Sequence, residues 1–299
     1  MTDENQAAPL AIVIPVRNAA HLLRECLASL SQQTRTGDSL IVVDDSSNDA
    51  TSAVAERLGA HVIRRNAPGG PYAARNDGWR AASQPYVLFT DVRCIARPGL
   101  LDRVRAAASQ NPGLIFVDIV VRSGNTLAER VAAGRQHLRL EYYRSDSFLR
   151  FFPTAGLAVE RVALEAVDGF RVLESGGDAD LCWRIQLAGF RGLNEVEEPL
   201  IEWRPRSDVL SLVQQWAKYG RSNAQLRHAY GSQGAVVPPP QSTVRLSAIH
   251  LRRTLRALRR TRFRAVPVTV VDGLVDLAQD VSYGRTLRDL RRHIDPLEP

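Results

Sequence analysis

Apolar and polar positions alternate between two rhythms over the first 120 residues. Apolar runs at 10–15, 40–43 and 86–89, with a shorter one at 61–64, read as strands. Between them Leu22, Leu23, Cys26, Leu27 and Leu30 recur at helical spacing. A second helix ends at Leu58 before Gly59, and a third spans 72–82 after the Gly/Pro loop 66–71. Strands taking turns with helices predict an α/β fold, a mostly parallel sheet covered on both faces. Farther on, 98–109 reads as helix, 114–121 as strand, 126–143 as a helix rich in both charges, and 209–228 as a long helix.

Residues 231–241, with three consecutive prolines, form the clearest linker, and no internal repeat is present. The expected organisation is a polar, disordered start at 1–9, one α/β domain over 10–230, the linker, and a basic helical region over 242–299. Within that last region, 245–264 places Leu251, Leu255 and Leu258 on one stripe, with Arg252, Arg253, Arg256, Arg259 and Arg260 around the rest. Such a helix could lie on an anionic membrane, bind an acidic partner, or dock on the larger domain with its arginines solvated. The apolar stretch 268–277 carries Asp272 and Asp276, which suits a packed helix or dimer contact better than a membrane span.

Composition narrows the class. A hydrophobic content of 44% over 299 residues matches a globular core. No secretory signal or membrane-length apolar run is visible, so a soluble cytoplasmic protein is expected. Cys26, Cys94 and Cys182 match no zinc or disulfide spacing and read as small buried residues. The net charge of +7 is carried almost wholly by arginine, Lys218 being the only lysine, and favours an anionic partner. Nucleic acid is not indicated, because no aromatic interleaving or binding motif accompanies the charge.

Chemistry gathers where the strands end. The second strand runs into Asp44 and Asp45, and the fourth into Thr90, Asp91, Val92 and Arg93. Ligands of open α/β sheets bind beyond the carboxyl ends of strands, so Asp45, Asp91 and Arg93 are expected at one crevice. Asp44 fits a turn or helix cap as well as a ligand contact.

Five segments in order carry a likeness: Ile-Pro-Val-Arg-Asn at 14–18, Val-Asp-Asp-Ser-Ser at 43–47, Ala-Ala-Arg-Asn-Asp-Gly at 73–78, Phe-Thr-Asp-Val-Arg-Cys at 89–94 and Gly-Gly-Asp-Ala-Asp-Leu-Cys-Trp-Arg at 176–184. Together they resemble the inverting family 2 glycosyltransferases of the GT-A fold over about residues 10–230. The resemblance implies a nucleoside diphosphate sugar donor, with a UDP-sugar the first guess, held by Pro15, Arg17, Asp45, Arg75 and Asp91. It implies that Asp178 takes the proton from an acceptor, whether small molecule, glycan or peptide. More loosely it places Gly156, within the small-residue stretch 154–156, at the sugar pocket, and segments 214–216 and 219–221 over the site. Asp178 also fits a helix N-cap, with Asp180 then the fallback base.

The sequence departs from the family at three places. The family holds a divalent metal (Mn or Mg) with an Asp-x-Asp and a later His; here Arg93 and Trp203 stand in those positions, which argues against the metal. Arg93 offers planar donors to the same diphosphate, or is a solvated surface residue. Trp203 is either a packed aromatic or a platform for sugar or base. Gly177 stands where relatives carry Glu. These losses motivate an alternative, an inactive relative binding nucleotide or sugar as a scaffold. Retention of Asp45, Asp91 and Asp178 favours the enzyme, and nucleotidyl transfer is disfavoured because no Gly-rich loop follows the first strand.

Overall fold

The computed structural model describes residues 8–144, 148–235 and 266–292, together with Arg252. An eight-stranded sheet runs through the molecule in the order β3-β2-β1-β4-β7-β6-β8-β5. Its strands are β1 (Leu10–Val16), β2 (Ser39–Asp44), β3 (His61–Arg64), β4 (Tyr86–Phe89), β5 (Cys94–Ala96), β6 (Leu114–Val121), β7 (Leu157–Glu160) and β8 (Leu193–Trp203). The first four pair in parallel. β7 is antiparallel to both β4 and β6, so β6 and its parallel partner β8 point the same way as β4. Six carboxyl ends therefore share one edge of the sheet.

Helices α1 (Ala20–Ser31), α2 (Thr51–Arg57), α3 (Gly70–Ala81) and α4 (Leu100–Gln110) alternate with the early strands as their periodicity predicts. Leu23, Cys26, Leu27 and Leu30 are the buried stripe of α1. β1 is buried along its whole length, consistent with an apolar run covered on two faces. Where α3 crosses β1 the contact excludes a side chain, since a Cβ on Gly78 would collide with Val13. All three cysteines are buried and free. Buried charge is paired: Arg105 on α4 reaches Asp38, both almost fully inaccessible.

Two expectations are corrected. The helix expected over 126–143 breaks into α5 (Leu127–Arg135) and a single 3-10 turn at Leu140–Tyr143. Gln136 ends α5 in the left-handed region (φ 44°), and its side chain bonds both backbone groups of Val121 on β6. Buried Asp118 then accepts from Leu140 N and Arg139 Nε, fixing the following turn. The strand β5 went unread because it is three residues long, held antiparallel on β8.

After β7 come α6 (Arg161–Ala166), α7 (Gly177–Leu187), α8 (Val209–Tyr230) and α9 (Val266–Arg292). On α7, spacing predicts Leu181, Ile185 and Leu187 to Ala188 toward the core; Leu181 and Ile185 are buried, whereas Leu187 and Ala188 are exposed because the helix ends there. The C-terminal α9 packs along α8 and α5 through Val271 and Val275. Arg135 of α5 bonds Asp272 and Asp276, the two charges that interrupt the apolar stretch. Of the Arg-rich segment 245–264 only Arg252 lies within the described residues, so its membrane or partner role falls outside them. Among the described residues no helix is long and apolar enough to cross a membrane.

Candidate active site

The shared carboxyl edge carries the polar residues expected there, and its loops are tightly bonded. Asn18 and Ser46 adopt left-handed backbone (φ 50° and 64°) just beyond β1 and β2. The Asn18 side chain accepts from Asn48 N at 2.8 Å, while its own N–H donates to Ser47 Oγ. Asp44 is the turn residue: it accepts from Ser47 N and from the Ser52 hydroxyl, anchoring the start of α2.

Asp45 is buried and does structural work first. Oδ1 accepts from Arg65 Nη1 and Gly69 N, and Oδ2 from Gly70 N, each at 2.8 Å. A carboxylate has about four acceptor positions, so roughly one remains for a ligand. Arg65 also pairs with Asp77 on α3; this residue was not singled out by its sequence context. Pro15 lies in β1 opposite Val43, and Arg17 is exposed in the following loop.

Arg75, expected at the nucleotide, is 3% exposed. Its Nη2 donates to Asp91 Oδ1 at 2.8 Å, and its guanidinium lies 5.6 Å from the Tyr72 ring centroid. Its Nε is buried with no hydrogen-bond partner among the described residues. The second Asp91 oxygen is left to the partly open crevice.

Asp178 is the second residue of α7, which opens at Gly176 with φ 78°. Its Oδ1 accepts from Ala179 N at 3.1 Å. Burial pushes its carboxyl above the ordinary aspartate value, Asp91 adds to the rise, and the Ala179 N–H and Arg75 oppose it. Three tyrosines interact electrostatically with this carboxylate. Burial and then Asp178 raise Tyr72, and both also act on Tyr143; Tyr219, which accepts from Gln215 Nε2 at 2.6 Å, is pushed up to about 12 by burial. Gly177 touches Tyr72 directly, since a Cβ there would lie 2.8 Å from the ring's Cζ. The space that relatives are expected to give to Glu is thus filled from α3 by Tyr72, which no sequence signal marked.

Asp180, expected as an acceptor contact or fallback base, is 2% exposed and has its carboxylate bonded on both oxygens: Oδ1 to Tyr230 OH at 2.6 Å and Arg171 Nη1 at 3.4 Å, Oδ2 to Arg184 Nε at 2.9 Å. Trp203, expected as either a packed aromatic or a platform, is 7% exposed and packs edge-on against His137 at 5.8 Å. Gly156 is buried against β6, with no room for a Cβ beside Val117 O. His137 is a further unanticipated feature, because neither ring nitrogen has a hydrogen-bond partner among the described residues. The nearby Trp216 Nε1 and Gln215 Oε1 are in the same state. Burial, then Arg135, drop the His137 pKa to about 4.

Arg93 is partly buried and donates weakly to Pro205 O at 3.4 Å. Burial and the neighbouring Arg206 lower its pKa, and Asp91 and Asp208 oppose them. Among the described residues no group of three His, Cys, Asp or Glu side chains comes together as a metal-binding set. With Asp91 paired to Arg75 and Arg93 beside it, this donor set does not fit a divalent ion.

Known proteins of similar sequence or fold are glycosyltransferases. The chain is 30% identical over 228 residues to the pre-mycofactocin glycosyltransferase of Mycobacterium tuberculosis, covering 73% of this chain and 47% of that protein. It is 28% identical over 192 residues to glycosyltransferase AglE of Haloferax volcanii, covering 60% and 62%. The chain thus spans about half to three fifths of the length of these relatives. Among solved structures, the mannosyltransferase PcManGT from Pyrobaculum calidifontis, in complex with GDP-Man and Mn2+, superposes with a TM-score of 0.59 at 16% identity, covering 97% of this chain and 77% of that one. TarS of S. aureus in complex with UDP gives 0.54 at 18% identity, covering 97% and 93%. These likenesses show the GT-A fold. The family model described as Glycosyl transferase family 2 matches residues 11–165, just over half of the sequence, and the chain belongs to that family.

Proposed function

We propose that the protein transfers a sugar, with inversion, from a nucleoside diphosphate to a hydroxyl or amine acceptor, with Asp178 as the base. The Asp178 carboxylate accepts the acceptor proton as the acceptor's lone pair forms the bond to the anomeric carbon. The bond from that carbon to the diphosphate oxygen breaks, and the nucleoside diphosphate leaves with the electron pair. The observation carrying this reading is Asp178 at the start of α7, raised in pKa by burial and electrostatically coupled to Arg75 and Asp91. Support for a nucleotide donor comes from the relatives of like fold, whose complexes hold GDP-Man or UDP. In this reading Arg93 neutralises the departing diphosphate, the role a metal has in other members.

A panel of UDP-, GDP- and TDP-sugars, with and without chelator, tests both parts. Release of nucleoside diphosphate in chelator is expected. Release only after manganese or magnesium is added refutes the role given to Arg93. Asp178→Asn should lower turnover by about two to four orders of magnitude with donor affinity unchanged. Unchanged turnover removes Asp178 as base, and no turnover from any donor in the unmodified protein favours a binding scaffold.

A further inference from the structure

At the far end of the sheet, three arginines stand in one row. Trp203 of β8 is in register with Cys94 of β5 on one side and Val121 of β6 on the other. The next position on each strand is Arg204, Arg93 and Arg122, tied together by Arg204 N donating to Arg93 O and Arg122 N to Trp203 O. Neighbouring strands lie about 4.8 Å apart, so the three side chains start within about 10 Å of one another. All three line a single open cleft of about 700 Å3, together with His21 at the start of α1 and Glu129 at the start of α5.

Like charges directly opposite on paired strands destabilise a sheet unless something neutralises them. The local acids do so only in part. Glu25 pairs with Arg204, and Glu129 is occupied by its capping box with Thr126. Asp91 and Asp208 act on Arg93, and Arg206 opposes them. The Arg122 side chain is exposed, with no hydrogen bond or ion pair among the described residues. The start of α1 beside the cleft is already occupied, since Ala20 N donates to the Asp49 carboxylate at 3.3 Å, so Arg122 is the member of the row left without an acidic partner among the described residues.

We infer that Arg122 and Arg204 form a second anion subsite, and that the acceptor carries a phosphate-class or carboxylate group bound there. Arg93, the member of the row beside Asp91, serves the donor diphosphate, while Arg122 and Arg204 line the same cleft next to it. The identity of the anion as part of an acceptor rests on the sugar-transfer reading. Binding at the subsite is measured without turnover, so the two fail separately.

Inorganic phosphate is titrated into the full chain, alone and after saturation with UDP, and thermal unfolding is compared with chloride at matched ionic strength. Phosphate should raise the melting temperature beyond chloride, and UDP should leave that increment in place. Arg122→Gln should weaken phosphate affinity by about tenfold or more, as expected for a charge-assisted contact. Arg103→Gln, which removes an exposed positive charge on α4, should retain it. An increment no larger than that of chloride overturns the subsite. So does retention of affinity in Arg122→Gln. If UDP abolishes the increment, the row belongs to the donor diphosphate and the acceptor assignment is overturned.

Discussion

Gly177→Ala adds one methyl group at the departure from the family beside the proposed base. The new carbon would sit 2.8 Å from Tyr72 Cζ and 2.9 Å from both Cε atoms. Carbon atoms pack at about 3.5–4.0 Å, so the overlap is about 0.7 Å or more. Tyr72 has little room to yield, being 7% exposed, stacked on Phe170 at 5.6 Å, with the Arg75 guanidinium near its ring. Overpacking of this kind costs about 1–3 kcal/mol. The same substitution at Gly134, within α5 and with nothing in reach of a Cβ, should stabilise by about 0.5–1 kcal/mol through helix propensity and a less free unfolded chain. Urea unfolding of both variants therefore predicts shifts of opposite sign. In a Tyr72→Leu background the Gly177→Ala cost should fall below about 0.5 kcal/mol, since the ring atoms responsible are gone. A cost below that value in the wild-type background, or an equal cost in both, refutes steric exclusion by Tyr72.

The depressed pKa of His137 makes stability pH-dependent. The neutral ring's contribution is complete above about pH 6.5 and is lost as pH falls toward about 4, because the unfolded chain takes up the proton first. The full window is worth about 3 kcal/mol, and the stability difference between wild type and His137→Phe, measured from pH 7 to 4, should change by about that amount. A difference independent of pH rejects the assignment. Arg105→Met leaves Asp38 with its backbone donors but without its buried cation, and denaturant melts should show a loss of about 3–5 kcal/mol. A loss below about 1 kcal/mol shows that the pair contributes little.

Much of the scaffold is written locally. The runs that become β1, β2 and β4 are apolar because both faces of a parallel sheet are covered, and α1 shows its buried stripe at a period of 3.6. That logic also brings Asp45, Asp91 and Arg93 to one edge, since each follows or ends a strand pointing the same way. The elements that escaped are those whose cause is distant. Gln136 interrupts a helical pattern because its side chain finds Val121 on another strand, and β5 is a strand only because β8 lies beside it.

The family, the order of the early strands and helices, and which carboxylates stand at strand and helix ends are legible in the chain, because these follow from periodicity and from contiguous motifs. Only the tertiary structure decided which charges are already used. Arg75 is held by Asp91, Asp180 by Arg184 and Tyr230, and Tyr72 fills the space beside Gly177. Pairing of a buried charge depends on groups many residues away that fill the same desolvated volume, and no local pattern records that proximity.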